Sequence, residues 1–141
     1  MPPPASLLRL VVILPIAGAA ASAAPVAPPD PVVERGRYLT HQVAGCIDCH
    51  SPRDEFGRFV AERHLTGAVL GFAPTVPMPW APAAPSLVGL EGYTTEQGVR
   101  FLMTGERPSG VPPRPPMPEY RLNEEDAKAV VAYLKSLAPK S

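Results

Sequence analysis

The chain has 141 residues, with 13 basic and 13 acidic side chains that leave it formally neutral at pH 7, and 21 prolines. That length suits one domain built on a single core. The charge is balanced, with no basic stripe and no polybasic run, which excludes nucleic acid and an anionic membrane surface as expected partners.

Residues 1–23 have the layout of a secretory signal peptide: one positive charge at Arg9, an apolar stretch from Leu10 to about Ala17, then a tail of small residues. Cleavage is expected after Ala23, with Ala21 at the other small-residue position. An uncleaved anchor is the competing reading. Against it, the apolar run is shorter than the roughly 20 residues that span a bilayer and is interrupted by Pro15. The sequence therefore predicts export to the periplasm and no membrane span after cleavage. Residues 24–30 form a Pro-rich lead, and the folded domain is expected over 31–139.

Asp30 suits a helix N-cap, and Pro31 suits the first turn, where a missing N–H costs nothing. Val32, Val33, Tyr38, Leu39 and Val43 are the apolar residues of this predicted helix, which delivers the chain to "CIDCH" at 46–50. Four readings compete for Cys46 and Cys49. A thioredoxin-like redox pair belongs in a βαβ setting, and no run of β-branched strands flanks it. A zinc site needs four ligands, and only His41 and His64 remain to help, at no familiar spacing. A disulfide across so small a loop would stabilise little. The fourth reading, covalent c-type haem attachment, is what C-x-x-C-H signals. One helical turn brings both thiols to the two vinyl groups, and the adjacent His50 reaches the iron from the same face. One such motif predicts one haem c.

Further along, residues 72–85 and 108–118 are too rich in proline to be regular and are expected to be ordered loops that wrap the haem. Between them a helix is predicted from about Thr95 to Thr104, with a capping box from Thr94 and Gln97 and a stop at Gly105 and Pro108. The last helix is capped by Asn123 and carries Glu124, Glu125 and Asp126 at the positive end of its dipole, with Lys135 near the other end. Ala127, Val130, Val131, Leu134 and Leu137 share its apolar face, and Leu122 can staple onto it.

His50 is the proximal ligand by its place in the motif. Opposite it stand Met78, Met103, Met117, His41 and His64. Met103 sits in the predicted third helix and reads as core, His41 lies too near the motif to reach the other face, and His64 reads as an ordinary loop histidine. That leaves Met78 in "VPMPW" and Met117 in "PPMPE", which share the same local text. Trp80 is a candidate to donate its N–H to a haem propionate or to pack on the ring edge. Tyr120 and Arg121 are similar candidates.

"CIDCH", the late "PPMPEYRL" and the closing "DAKAVVAYLKSL" together resemble a class I cytochrome c, and their order and separation match over nearly all of 31–139. The resemblance implies an all-α cytochrome c fold of three to five helices around one covalently attached haem, with Pro-rich loops. It implies that the first and last helices cross at a glycine and an aromatic, for which Gly36, Tyr38 and Tyr133 fit. It also implies a ligand methionine on the loop that feeds the last helix, which selects Met117 over Met78 and gives His50 and Met117 as iron ligands. More narrowly, "GYTTEQGVRFLMTG" with "PMPEYRLNEEDAKAVVAYLKSL" is similar to haem domains that serve as electron-accepting subunits of periplasmic dehydrogenases. The expected function is single-electron transfer with no substrate of its own, between redox partner proteins such as a dehydrogenase and a downstream acceptor. A haem enzyme or gas sensor with an open sixth site is the alternative.

Overall fold

The computed structural model describes residues 28–139; the signal peptide expected over 1–23 and the start of the Pro-rich lead lie outside the described residues. Asp30 Oδ1 accepts from the Val32 N–H at 2.8 Å, and with Pro31 in the first turn this starts α1, Pro31–Tyr38. The chain then widens into a π-helical turn, Leu39–Val43, before α2, Cys46–His50.

Thr94 Oγ1 accepts from the Gln97 N–H at 3.2 Å while Gln97 Oε1 accepts from the Thr94 N–H at 2.9 Å. This reciprocal cap opens α3, Thr95–Thr104, which ends at Gly105, as the sequence predicts. Asn123 Oδ1 accepts from the Asp126 N–H at 2.8 Å and opens α4, Glu124–Ser136. Ala127, Val130, Val131 and Leu134 on its apolar face are buried, with Leu122 and Leu137 packed against them.

The most extensive helix pairing joins α1 to α4, and α3 lies on α4 as well. At the α1–α4 crossing a Cβ on Gly36 would fall inside the Ala129 carbonyl and 2.7 Å from Tyr133 Cβ, so only glycine lets the two backbones meet. The salt bridge from Arg35 to Asp126, 2.9 Å, spans the same pair at the surface. Tyr133 is at the crossing and buried, but Tyr38, expected there too, is 49% exposed. Two residues along a helix is about 200° of rotation, so Tyr38 faces away from the seam that Gly36 occupies; the Arg35 guanidinium lies over its ring instead.

A small antiparallel ladder, β1 (Ala68–Val69) with β2 (Ala83–Ala84), is the only sheet among the described residues. It explains a difference from the expected haem-wrapping loop at 72–85. The ladder, with Leu70 N–H donating to the Pro82 carbonyl at 2.9 Å, closes the segment on itself as a hairpin, so Phe72, Val76 and Met78 at its tip are exposed and only its returning limb turns inward. The helix-dominated architecture is otherwise the expected all-α one. Among the described residues no helix is long and apolar enough to cross a membrane.

Candidate functional site

Gly45, in the left-handed region at φ 62°, turns the chain abruptly into α2; a side chain would strain that backbone. The single turn of α2 then presents Cys46, Cys49 and His50 to one cavity of about 570 Å³, within the size range of cofactor pockets, about 300–1,000 Å³. Leu70, Leu87, Leu90, Phe101, Leu102 and Val130 are among its apolar lining. Leu102 and Val130 also belong to the core, so cavity wall and protein core are one surface.

Burial pushes the Cys46 thiol up, with a hydrogen bond to Tyr120 acting the other way, and burial also raises Cys49. Reactive cysteine pairs work by the opposite shift, toward the thiolate, so this environment does not favour thiol–disulfide chemistry.

His50 is 5% exposed, and its Nδ1 lies 2.7 Å from the Pro85 carbonyl. A carbonyl only accepts, so Nδ1 carries the proton and Nε2 keeps its lone pair, the tautomer a metal requires. Burial lowers the His50 pKa from its ordinary value and outweighs the bond to Pro85, which acts the other way; the net shift favours the neutral ring. The Pro85 carbonyl is itself placed by backbone: the Leu87 N–H donates to the Leu65 carbonyl at 2.8 Å and the Gly67 N–H to the His50 carbonyl at 2.8 Å. The Ser51 hydroxyl then accepts from the Leu65 N–H at 2.9 Å, in the buried interior. Nothing in the sequence signals a backbone carbonyl in this role.

Of the five residues weighed against His50, Met117 alone lines the cavity with it. Met78 is 43% exposed on the hairpin tip. Met103 packs against the core, as expected of it. His41 is turned to α4, its Nε2 sharing a 2.7 Å hydrogen bond with the Tyr133 hydroxyl, and His64 lies in a loop turn, its ring tilted against His41 and edge-on to Phe59.

Trp80 is not among the lining residues, although its neighbour Ala81 is. Its ring meets Phe72 edge-on, and its buried Nε1–H has no acceptor among the described residues. Arg121 is exposed beside Glu119, whereas Tyr120 lines the cavity. Sequence reasoning did not single out Arg107 and Arg114, which also line it; the signal was their place in the Pro-rich stretch that leads to Met117. A mostly apolar cavity, two neutral thiols on one turn, an imidazole held in the ligating tautomer and a thioether in the same lining form a donor set that fits haem c. An orphaned buried donor close by and two cations in the wall suit its acidic edge.

Residues 33–138 match the family model described as Cytochrome c. No curated protein matches the chain.

Proposed function

The chain belongs to the cytochrome c family, a family of haem-based electron carriers, and on that premise we propose that it carries single electrons in the periplasm with His50 and Met117 as the axial pair. The observation that supports this pairing is that Met117, of all the residues weighed, shares the cavity of His50. Bound there, haem c supplies a one-electron couple.

Cys46 and Cys49 would hold the group through thioether bonds, and His50 offers Nε2 because Pro85 occupies Nδ1. Met117 offers a soft sulfur that favours reduced iron, which raises the reduction potential relative to two histidines. With His50 and Met117 both holding the group, dioxygen and peroxide would have no easy point of attachment. Arg107 and Arg114 set positive charge in the wall for the propionates, and the Trp80 N–H is a donor to one of them. Export rests on residues 1–23. The donor is a dehydrogenase or another respiratory protein, as the likeness at residues 92–105 and 116–137 suggests. A carrier needs a small, weak interface that releases quickly, and a chain this close to neutral gains little from long-range steering.

Mass spectrometry of the exported protein should show an increment of about one haem; an unmodified mass would sink the reading. Met117→Ala should abolish the weak charge-transfer band at the red end of the ferric spectrum and let cyanide or carbon monoxide bind rapidly, whereas Met78→Ala should leave both unchanged. The reverse result moves the ligand to Met78. Rapid carbon monoxide binding by the unaltered ferrous protein would instead favour an open-site sensor or enzyme. Co-purification of a dehydrogenase with the native protein identifies the donor.

A further inference from the structure

Three ties suspend the stretch that carries Met117. The Ala81 N–H donates to the Pro115 carbonyl at 2.8 Å, and the Leu122 N–H donates to the Leu102 carbonyl at 3.0 Å. The third is the Tyr120 hydroxyl, which donates to the Ala44 carbonyl at 2.5 Å. The first two join the stretch to the returning limb of the hairpin and to α3. The third crosses to the segment in front of Cys46.

Ala44 is a fixed anchor, because it closes the π-helical turn, its N–H bonded to the Leu39 carbonyl at 2.8 Å, and Leu39 is buried in the core. Tyr120 is three residues from Met117, and Ala44 is two residues from Cys46. Among the described residues, the Tyr120 hydroxyl is the one side-chain group of the stretch 115–121 whose hydrogen bonds reach another segment, to the Ala44 carbonyl and to the neighbouring Cys46 thiol. Prolines stiffen that stretch, but a stiff arm still swings as a body unless something near its working end is fastened. Tyr120 also lines the cavity, so the strap runs along the wall rather than behind it.

We infer that Tyr120 is a positioning residue: its hydroxyl straps the Met117 arm to the haem-attachment segment and thereby sets how firmly the sulfur holds the sixth position. This inference rests on the His50 and Met117 reading above. The strap makes no bond to iron; it biases the competition between Met117 and any ligand from solution.

The test is a titration of the ferric holoprotein with imidazole, which must displace Met117 to bind. Tyr120→Phe keeps the ring and removes only the hydroxyl, and the net worth of one such hydrogen bond predicts an apparent imidazole affinity about two- to tenfold higher. Tyr133→Phe removes a phenol of the same kind that bonds His41 outside the cavity, and its titration should overlay that of the unaltered protein. Amide hydrogen exchange should quicken at residues 115–122 in Tyr120→Phe and not in Tyr133→Phe. If the Tyr120→Phe titration and exchange match the unaltered protein, the strap is overturned. Met117→Ala separates the two readings: it should take up imidazole without competition, and if it binds no better than the unaltered protein, the Met117 ligation has failed rather than the strap.

Discussion

On the His50 side of the cavity, Ser51, Leu65, Gly67, Pro85 and Leu87 exchange hydrogen bonds among themselves and with His50, and His50, Ser51 and Leu65 are buried. On the Met117 side, the chain from Pro108 to Leu122 is mostly exposed or half-buried and hangs from three ties between elements. The first wall is redundant: the ring is held by a carbonyl whose neighbours are themselves hydrogen-bonded to Leu65 and His50. The second is stiff in itself but lightly fastened. A ligand that must never leave gains from the first arrangement. One whose hold tunes a potential gains from the second, where a single bond shifts the balance.

Leu65 is the strongest lever on that contrast. It is fully buried, its N–H donating to the Ser51 hydroxyl and its carbonyl accepting from the Leu87 N–H. Leu65→Ala should cost about 2–5 kcal/mol in unfolding free energy, the range for a large-to-small change that leaves a cavity. The loss is measured by denaturant titration of the holoprotein, with the Met117 charge-transfer band preserved in the folded fraction. A loss of that band before unfolding would show that the walls are not independent.

Ser51→Ala is gentler. It deletes the hydroxyl that accepts from the buried Leu65 N–H, and leaving such a donor unsatisfied costs about 1–3 kcal/mol. Thermal unfolding should record it, again without change in imidazole affinity. Should imidazole bind more tightly in Ser51→Ala, the His50 wall would be acting on the sixth position, and the contrast between the walls would fall.

The parts of this molecule that were legible in its sequence are those whose chemistry demands neighbouring residues. The attachment motif is one turn long because two thiols and an imidazole must reach one group, and Thr94 with Gln97, or Asn123 with Asp126, close hydrogen bonds over three residues. The His50 wall was not legible, since the Pro85 carbonyl is 35 residues from the ring it holds and a backbone atom leaves no mark on residue type. The resemblance also misled at the helix crossing, where it put two aromatics at one seam: Tyr38 and Tyr133 look alike as text, and only the register of α1 turns Tyr38 outward. Proline content foretold an irregular chain at 72–85, but not the ladder of Ala68–Val69 with Ala83–Ala84 that sends its tip into solvent.

His41 lies on neither wall and so provides the smallest and most selective probe. Burial lowers its pKa from 6.5, with the nearby His64 and Arg37 acting the same way. A histidine whose pKa is lower in the folded state leaves the unfolded chain binding more protons between the two values. Stability is therefore unaffected above about pH 7 and falls as the pH drops through 6.5 toward the folded pKa. The carboxylates with depressed pKa, Asp54 and Asp126 among them, start from 3.8, so they act at lower pH and leave the interval between 5 and 7 to histidine. Melting temperatures at pH 7.5 and 5.5 should differ less in His41→Gln than in the unaltered protein, while the ferric spectrum stays the same in both. An equal difference in the two proteins would assign the acid sensitivity to another group, and a spectral change would tie this corner of α1 and α4 to the iron after all.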